Sequence, residues 1–217
     1  MTHRQRQMRR RRRGRGRGAL LILSVLGLLV AIGALSVVGY IVAVAATAPA
    51  LDKLQPIDKG TSTVIYAADG TRLGYVQSDV IRTPISWSKM PLHLKQATVA
   101  IEDERFYEHR GVDYTAIVRA AIRNLESGRS LQGGSTITQQ LVRALYIKDP
   151  KRDLERKIRE AKLASELEQR RSKRWILREY LNSVPYGTVD GRTAVGVEAA
   201  ASVFFGKHAS RLTLEEA

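Results

Sequence analysis

Three short strings carry residues able to do chemistry. In AIEDERFYEHRG, Glu102, Asp103 and Glu104 stand at the expected C-terminal end of a helix, where the macrodipole disfavours negative charge. Stability alone would not choose acids there. Crowded against apolar Phe106 and Tyr107, with His109 close behind, they suit a general acid or base working near neutral pH. A solvated, charged helix end would read the same way, and this string by itself leaves both readings open.

The second string, LQGGSTITQQLVR, suits an anion. Gly133 and Gly134 permit close backbone approach, and Ser135 and Thr136 add hydroxyls at a helix start whose free N–H groups favour negative charge. Arg143, two turns along, adds a fixed positive charge. A phosphate or pyrophosphate fits that chemistry, and so does an ordinary capped helix after a glycine turn. A nucleotide-binding Walker loop does not, because its glycine spacing and Lys-Ser/Thr ending are absent. The third string, LERKIREAKLASELEQRR, puts Arg156 and Glu160 four residues apart on one helical face, with Lys157 beside them. Charge pairs on a solvated amphipathic helix account for the same residues.

These strings need a scaffold to bring them together. TSTVIYAADGTRLGYVQ alternates about Asp69-Gly70, a hairpin signal. Beyond Trp87 the periodicity becomes helical. Pro91 suits a first helical position, and Leu92, Leu94, Val99 and Ile101 mark the apolar side of a helix reaching Asp103. A loop follows through Gly111. Asp113 can cap a helix from Tyr114 to Ser127, with Ile117, Ala120, Ala121 and Leu125 on its apolar side and Gly128 as its stop. Thr136 and Gln139 have capping-box form and predict a helix to Tyr146, ended by Asp149-Pro150. Lys151–Arg171 and Lys173–Leu181 read as helices, 183–192 as a loop rich in Gly and Pro, and Ala194–Phe204 as a helix ending near Gly206. A last helix is expected to begin at Leu212 to Leu214. The fold class is mainly α, with a short β hairpin before the helical domain.

Charge is unevenly spread. Nine arginines and no acid occupy positions 1 to 17, and removing them takes the formal net charge from +15 to +6. From Gly18 to Leu51 there is no charged residue, a run longer than the roughly 20 apolar residues a spanning helix needs. The expected organisation is a cytoplasmic Arg-rich tail over 1–18, a transmembrane helix over 19–48, a linker over 49–62 and a catalytic domain over 63–217. By the positive-inside rule the protein crosses the cytoplasmic membrane once, its N-terminus cytoplasmic and its domain extracytoplasmic. Basic residues beside a membrane helix fix topology and attract anionic headgroups, and nothing resembles a base-reading module, so nucleic acid is not an expected partner. The 217 residues include no cysteine, which rules out disulfides and thiolate zinc sites. The chain stops at LTLEEA, in the opening turn of the last expected helix, so the domain is expected to be C-terminally incomplete.

Taken in order, the strings resemble the family 51 peptidoglycan glycosyltransferases, found as monofunctional enzymes and as the N-terminal module of class A penicillin-binding proteins. The first family motif is matched by Glu102, Asp103, Phe106, His109 and Gly111, and the second by Gly133, Gly134, Ser135, Thr136, Thr138, Gln139 and Gln140. Arg156, Lys157 and Glu160 match the third, Ile176, Leu177, Tyr180, Leu181 and Asn182 the fourth, and GVEAAASVFFGK resembles the fifth. The resemblance covers Val64 to Ala217 and implies a lysozyme-like, mainly helical fold. The substrates it implies are a lipid-linked glycan strand as donor and lipid II as acceptor, both in the membrane; no nucleotide sugar is involved.

By that resemblance Glu102 is the general base, and Glu160 a second catalytic acid beside the leaving pyrophosphate. Ser135, Thr136, Gln139, Gln140, Arg143, Arg156 and Lys157 line the donor and phosphate side, while Asp103, Phe106 and His109 shape the first motif next to substrate. No cofactor follows from the sequence and no metal constellation is visible. The family allows a divalent cation, Mg2+ or Mn2+, bridging pyrophosphate and acidic residues, and the cell-wall synthesis machinery as partner. Two departures stand out: Arg143 replaces the usual Lys, exchanging a compact ammonium for a planar fork, and the loop VPYGTVDGRTA is longer than in many members. The hairpin TVIYAADGTRLG looks more like class A penicillin-binding proteins than monofunctional enzymes. A lytic enzyme could share the fold and an essential Glu, but hydrolysis needs an acid for the leaving sugar oxygen, where this chain offers a phosphate-suited helix start and a basic helix.

Overall fold

A computed structural model describes residues 3–57, 63–75, 80–127, 134–147, 153–189 and 191–217. The turns expected at Gly128, Gly133 and Asp149-Pro150 fall outside them, as do residues 58–62 of the expected linker. The chain divides into two compact units, 1–47 and 48–217. The first is one helix, α1 (His3–Thr47), continuous through the arginine-rich stretch. From Leu20 to Val42 its large apolar side chains are exposed on every side. An all-round apolar helix of this length is long enough to cross a membrane.

The second unit opens on Ala48, expected as the end of the membrane helix, and on residues expected to be linker. They are tied down: the Leu51 N–H donates to Glu166 (3.0 Å), Lys162 donates to the Ala48 carbonyl (2.9 Å), and the Ile57 N–H donates to the Leu145 carbonyl (2.6 Å). Then β1 (Val64–Tyr66) and β2 (Arg72–Tyr75) form the expected antiparallel hairpin. Its turn is closed by the Asp69 carboxylate, which accepts from the Thr71 N–H (2.8 Å), and by Gly70 at φ +84°.

Helix α2 (Leu92–Glu102) takes Pro91 as its N-cap and not as its first residue, so it starts one position later than expected. Only Leu94 and Val99 of its expected apolar side are buried; Leu92 and Ile101 are exposed, Ile101 to 83%. They lie in the first and last turns, and the helix makes its core contacts through its middle. Helix α3 (Tyr114–Ser127) likewise departs from expectation, because Ile117 is exposed together with Tyr114, Val118 and Ile122. Of the expected apolar side, Ala120 is half-buried, and the side chains of Ala121 and Leu125 lie outside the described residues.

Asp113 caps α3 as expected, accepting from the Ala116 N–H (2.8 Å) and the Thr115 hydroxyl (2.9 Å), and pairs with Arg105, whose Nε donates at 2.9 Å. The Arg105 guanidinium first, then those two donors, hold its carboxyl well below the usual carboxylate range. A depressed folded-state pKa gives stability that is present above the unfolded value, about 3.9, and lost as pH falls below it. Asp113→Ala is expected to cost about 1–2 kcal/mol at pH 7. Its deficit relative to the parent should shrink on acidification to pH 3, measured by urea unfolding at both pH values.

The core is built where α4 (Ile137–Tyr146) packs against both α5 (Leu154–Arg170) and α6 (Lys173–Ser183). Ile137, Leu141 and Val142 meet Leu163, Leu167, Ile176, Leu177 and Leu181 there, all buried. Side-chain caps fix the three starts: Thr136 and Gln139 form the expected capping box, Asp153 accepts from the Arg156 N–H (2.7 Å), and Ser172 accepts from the Trp175 N–H (3.3 Å).

The stretch expected as loop over 183–192 is a correction. It forms β4 (Pro185–Val189), which pairs antiparallel with β5 (Arg192–Val195), while β3 (Val80–Arg82) lies parallel on the other side of β5. Glycines hid the strands: Gly187 sits at an irregularity of the ladder and Gly191 next to the turn, both at positive φ. Asn182 ties α6 to β3 and the segment after it: its carbonyl accepts from Arg82 Nε (3.2 Å), and its side chain both accepts from the Ile85 N–H (2.9 Å) and donates to the Ile85 carbonyl (3.0 Å). Helix α7 (Val197–Phe205) starts three residues later than expected and ends, as expected, at Gly206 in the left-handed conformation. The helix expected from Leu212 is replaced by a 3-10 turn over Ala209–Arg211 and a further turn.

Candidate active site

The C-terminal end of α2, the start of α4 and the first two turns of α5 meet at one place. Glu102, the last residue of α2, is exposed, and its Oε2 accepts from the Gln140 side-chain amide on α4 (2.8 Å). The same amide's oxygen accepts from the Tyr180 phenol on α6 (3.1 Å). Burial chiefly, then the Glu102 charge, pushes the Tyr180 phenol well above its ordinary value, so it stays a proton donor. Glu102 and Ser135 line one small cavity of about 180 Å³ together with Glu104, Arg119 and Gly134.

Ser135 leads from that cavity into a cluster of charge. Its hydroxyl accepts from Lys157 Nζ (2.5 Å), and Lys157 stands 3.0 Å from the Glu160 carboxylate. Glu160 is fully buried, also paired with Arg156 one turn before it, and has Arg143 of α4 at 3.9 Å. Three cations therefore surround one anion, and Ser135, which lines the cavity with Glu102, joins that net positive cluster to it through Lys157. The helical spacing that puts Arg156 and Glu160 on one face was legible from the sequence; that Arg143 and Ser135 complete the cluster depends on α4 packing on α5.

Other expected site residues are buried, although Asp103 and Thr136 also border that cavity. Asp103 is buried, its two oxygens shared by His109 Nε2 (2.9 and 3.1 Å), and its Oδ2 also accepts from the Ile137 N–H (3.0 Å). It joins the first string to the start of α4. Phe106 is fully buried, edge-on to His109, with Lys173 Nζ 4.3 Å from its ring centre. Thr136 and Gln139 spend their polar atoms on the cap, and the Thr136 hydroxyl also donates to the Gly111 carbonyl (2.6 Å). Gly111 is at φ +87°, and a Cβ there would lie 2.6 Å from the Ala164 backbone, so no other residue lets this loop rest on α5. Gly133 lies outside the described residues.

Two parts of the site escaped sequence reasoning. Tyr180 was visible only as a motif residue, although a tyrosine on the buried face of a helix needs a partner for its hydroxyl. The ion pair of Lys173 with buried Glu168 (2.7 Å), which accepts from Thr138 (2.5 Å), cross-links α4, α5 and α6 beneath the site. Among the described residues no group of three or more His, Cys, Asp or Glu is placed to hold a metal ion. Glu160 is enclosed by cations and Asp103 is engaged, so these residues do not fit a protein-held divalent cation.

An exposed carboxylate on a small cavity, joined through Ser135 to a net-positive cluster, suits group transfer: a base can take a proton from one reactant while an anion leaves toward cations. The Transglycosylase family (Transgly) matches residues 69–217, and the chain belongs to that family, the peptidoglycan glycosyltransferases. It is 40% identical to penicillin-binding protein 1A of Aquifex aeolicus over 91% of its own length and 26% of that protein. With penicillin-binding protein 2D of Bacillus subtilis it shares 44% identity over 72% of this chain and 22% of the relative. With penicillin-binding protein 1A of Escherichia coli it shares 45% over 70% of this chain and 17% of the relative. The chain thus spans about a quarter or less of these relatives.

Proposed function

We propose that this domain polymerises glycan strands of peptidoglycan, transferring a lipid-linked glycan from its pyrophosphate to the 4-hydroxyl of lipid II with inversion to a β-1,4 link. The observation that carries the reading is Glu102, exposed on a small cavity it shares with Ser135, whose hydroxyl accepts from Lys157 of the Arg143, Arg156, Lys157 and Glu160 cluster. Glu102 takes the proton from the acceptor hydroxyl as its oxygen attacks the donor's anomeric carbon. The bond from that carbon to the pyrophosphate oxygen breaks, and undecaprenyl diphosphate leaves. The departing group is already anionic, so it calls for cations and N–H groups rather than a proton donor. Glu160 serves by holding Arg156 and Lys157 in place. It is too enclosed to reach a glycosidic oxygen, which speaks against a lytic enzyme with two working carboxylates.

The setting we propose is the outer face of the cytoplasmic membrane, with α1 spanning it and the arginine tail inside. Tyr114, Ile117, Val118 and Ile122, exposed together on α3, support a domain resting on lipid, since soluble surfaces seldom expose such a row. One membrane then confines catalyst and both substrates to a thin layer. The full membrane protein, solubilised in detergent and given lipid II, is expected to yield lengthening glycan and released undecaprenyl diphosphate. Shortening of preformed glycan without polymer formation would overturn the reading.

A further inference from the structure

Glu102 ends a helix and is exposed, so its side chain is free to turn unless something holds it. The Gln140 amide does so, but an amide has two faces. With its NH2 toward Glu102 it stabilises the carboxylate; turned over, it would set a carbonyl oxygen against negative charge. Glu102 alone is a weak judge of that choice, because its own position is what needs fixing.

The choice is made from the other side. Tyr180 is buried on α6 beside Ile176, Leu177 and Leu181 of the core, and its phenol donates to the amide oxygen at 3.1 Å. That bond leaves the NH2 for Glu102 Oε2 at 2.8 Å. The three groups come from α6, α4 and α2, and the anchored end is the one in the core. We infer that Tyr180 and Gln140 form a positioning relay for Glu102: the phenol sets the facing of the amide, and the amide pins one carboxylate oxygen, leaving the other for the incoming proton. The inference rests on Glu102 being the base. The proton leaves the acceptor hydroxyl, bonds to the unpinned oxygen, and the pinned oxygen keeps its N–H donor through the step. Gln140 and Tyr180 touch no substrate in this account, so they are positioning residues.

A double-mutant cycle in the full membrane protein tests this, with lipid II polymerisation as readout. Tyr180→Phe keeps the buried ring and removes the donor; kcat is expected to fall about threefold to tenfold with KM for lipid II unchanged. Gln140→Asn, which shortens the link without touching the core, should give a similar loss. In a Gln140→Leu background, Tyr180→Phe should change kcat no further. Wild-type kcat in Tyr180→Phe, an equal loss on both backgrounds, or an effect on KM alone would overturn the relay. Glu102→Gln separates the two ideas. If it silences polymerisation while Tyr180→Phe runs at the wild-type rate, the relay alone fails; if Glu102→Gln polymerises normally, the reading of Glu102 as base fails with it.

Discussion

Glu102→Gln is expected to lower the polymerisation rate by about 10²–10⁴-fold, the contribution of a general base, while leaving the fold's stability within about 0.5 kcal/mol of the parent. The stability half follows from exposure: Glu102 packs on little, and a glutamine of the same shape can still offer an oxygen to the Gln140 amide. The activity half follows from chemistry, since an amide does not accept the proton of an alcohol near neutral pH. The comparison that decides is kcat on lipid II beside the urea midpoint of the same preparation. A variant within tenfold of the parent rate would remove Glu102 from the reaction.

Glu160→Ala should behave in the opposite way, failing first as a structure. Glu160 is fully buried with Arg156, Lys157 and Arg143 around it, so deleting its carboxylate leaves the largely buried Arg156 without its counter-charge and removes the anion that Lys157 and Arg143 share. Breaking a buried charge cluster by removing one partner costs about 3–5 kcal/mol. For a unit of this size that lowers the thermal midpoint on the order of 10 °C. Activity should fall too, because Arg156 and Lys157 lose the anion that fixes them. Unfolding at equal protein concentration checks the first effect. A midpoint within 2 °C of the parent, on that same scale of roughly 2–4 °C per kcal/mol, would mean the cluster is not held as described.

The two residues show what a sequence can and cannot announce. Both were named from short strings, yet their different characters came from burial. Glu160 read as one charge on a solvated amphipathic helix until α4 covered it. Glu102 and Asp103 are neighbours of the same type, and backbone direction separates them: one ends α2 facing the cavity, the other turns inward to His109 and the Ile137 N–H.

Local rules decided the parts of the molecule whose energetics are local. The apolar run of α1, the hairpin about Asp69-Gly70, the Asp113 cap, the Thr136 and Gln139 capping box, and the stop at Gly206 depend on residues a few positions apart, and they stand where the sequence placed them. The arrangement that makes a site depends on distant partners. β3 pairs with β5 across more than a hundred residues, Tyr180 reaches Gln140 forty residues away, and Arg143 joins Glu160 from another helix. Such contacts carry no periodic mark, because only close packing of the core brings their elements together. The sequence by itself determined which residue types were on hand and which helices would carry them. Tertiary structure alone decided which faced the cavity, which became buried supports, and that Ile117, Val118 and Ile122 of α3 stand exposed, since burial is a property of the whole fold and not of a segment.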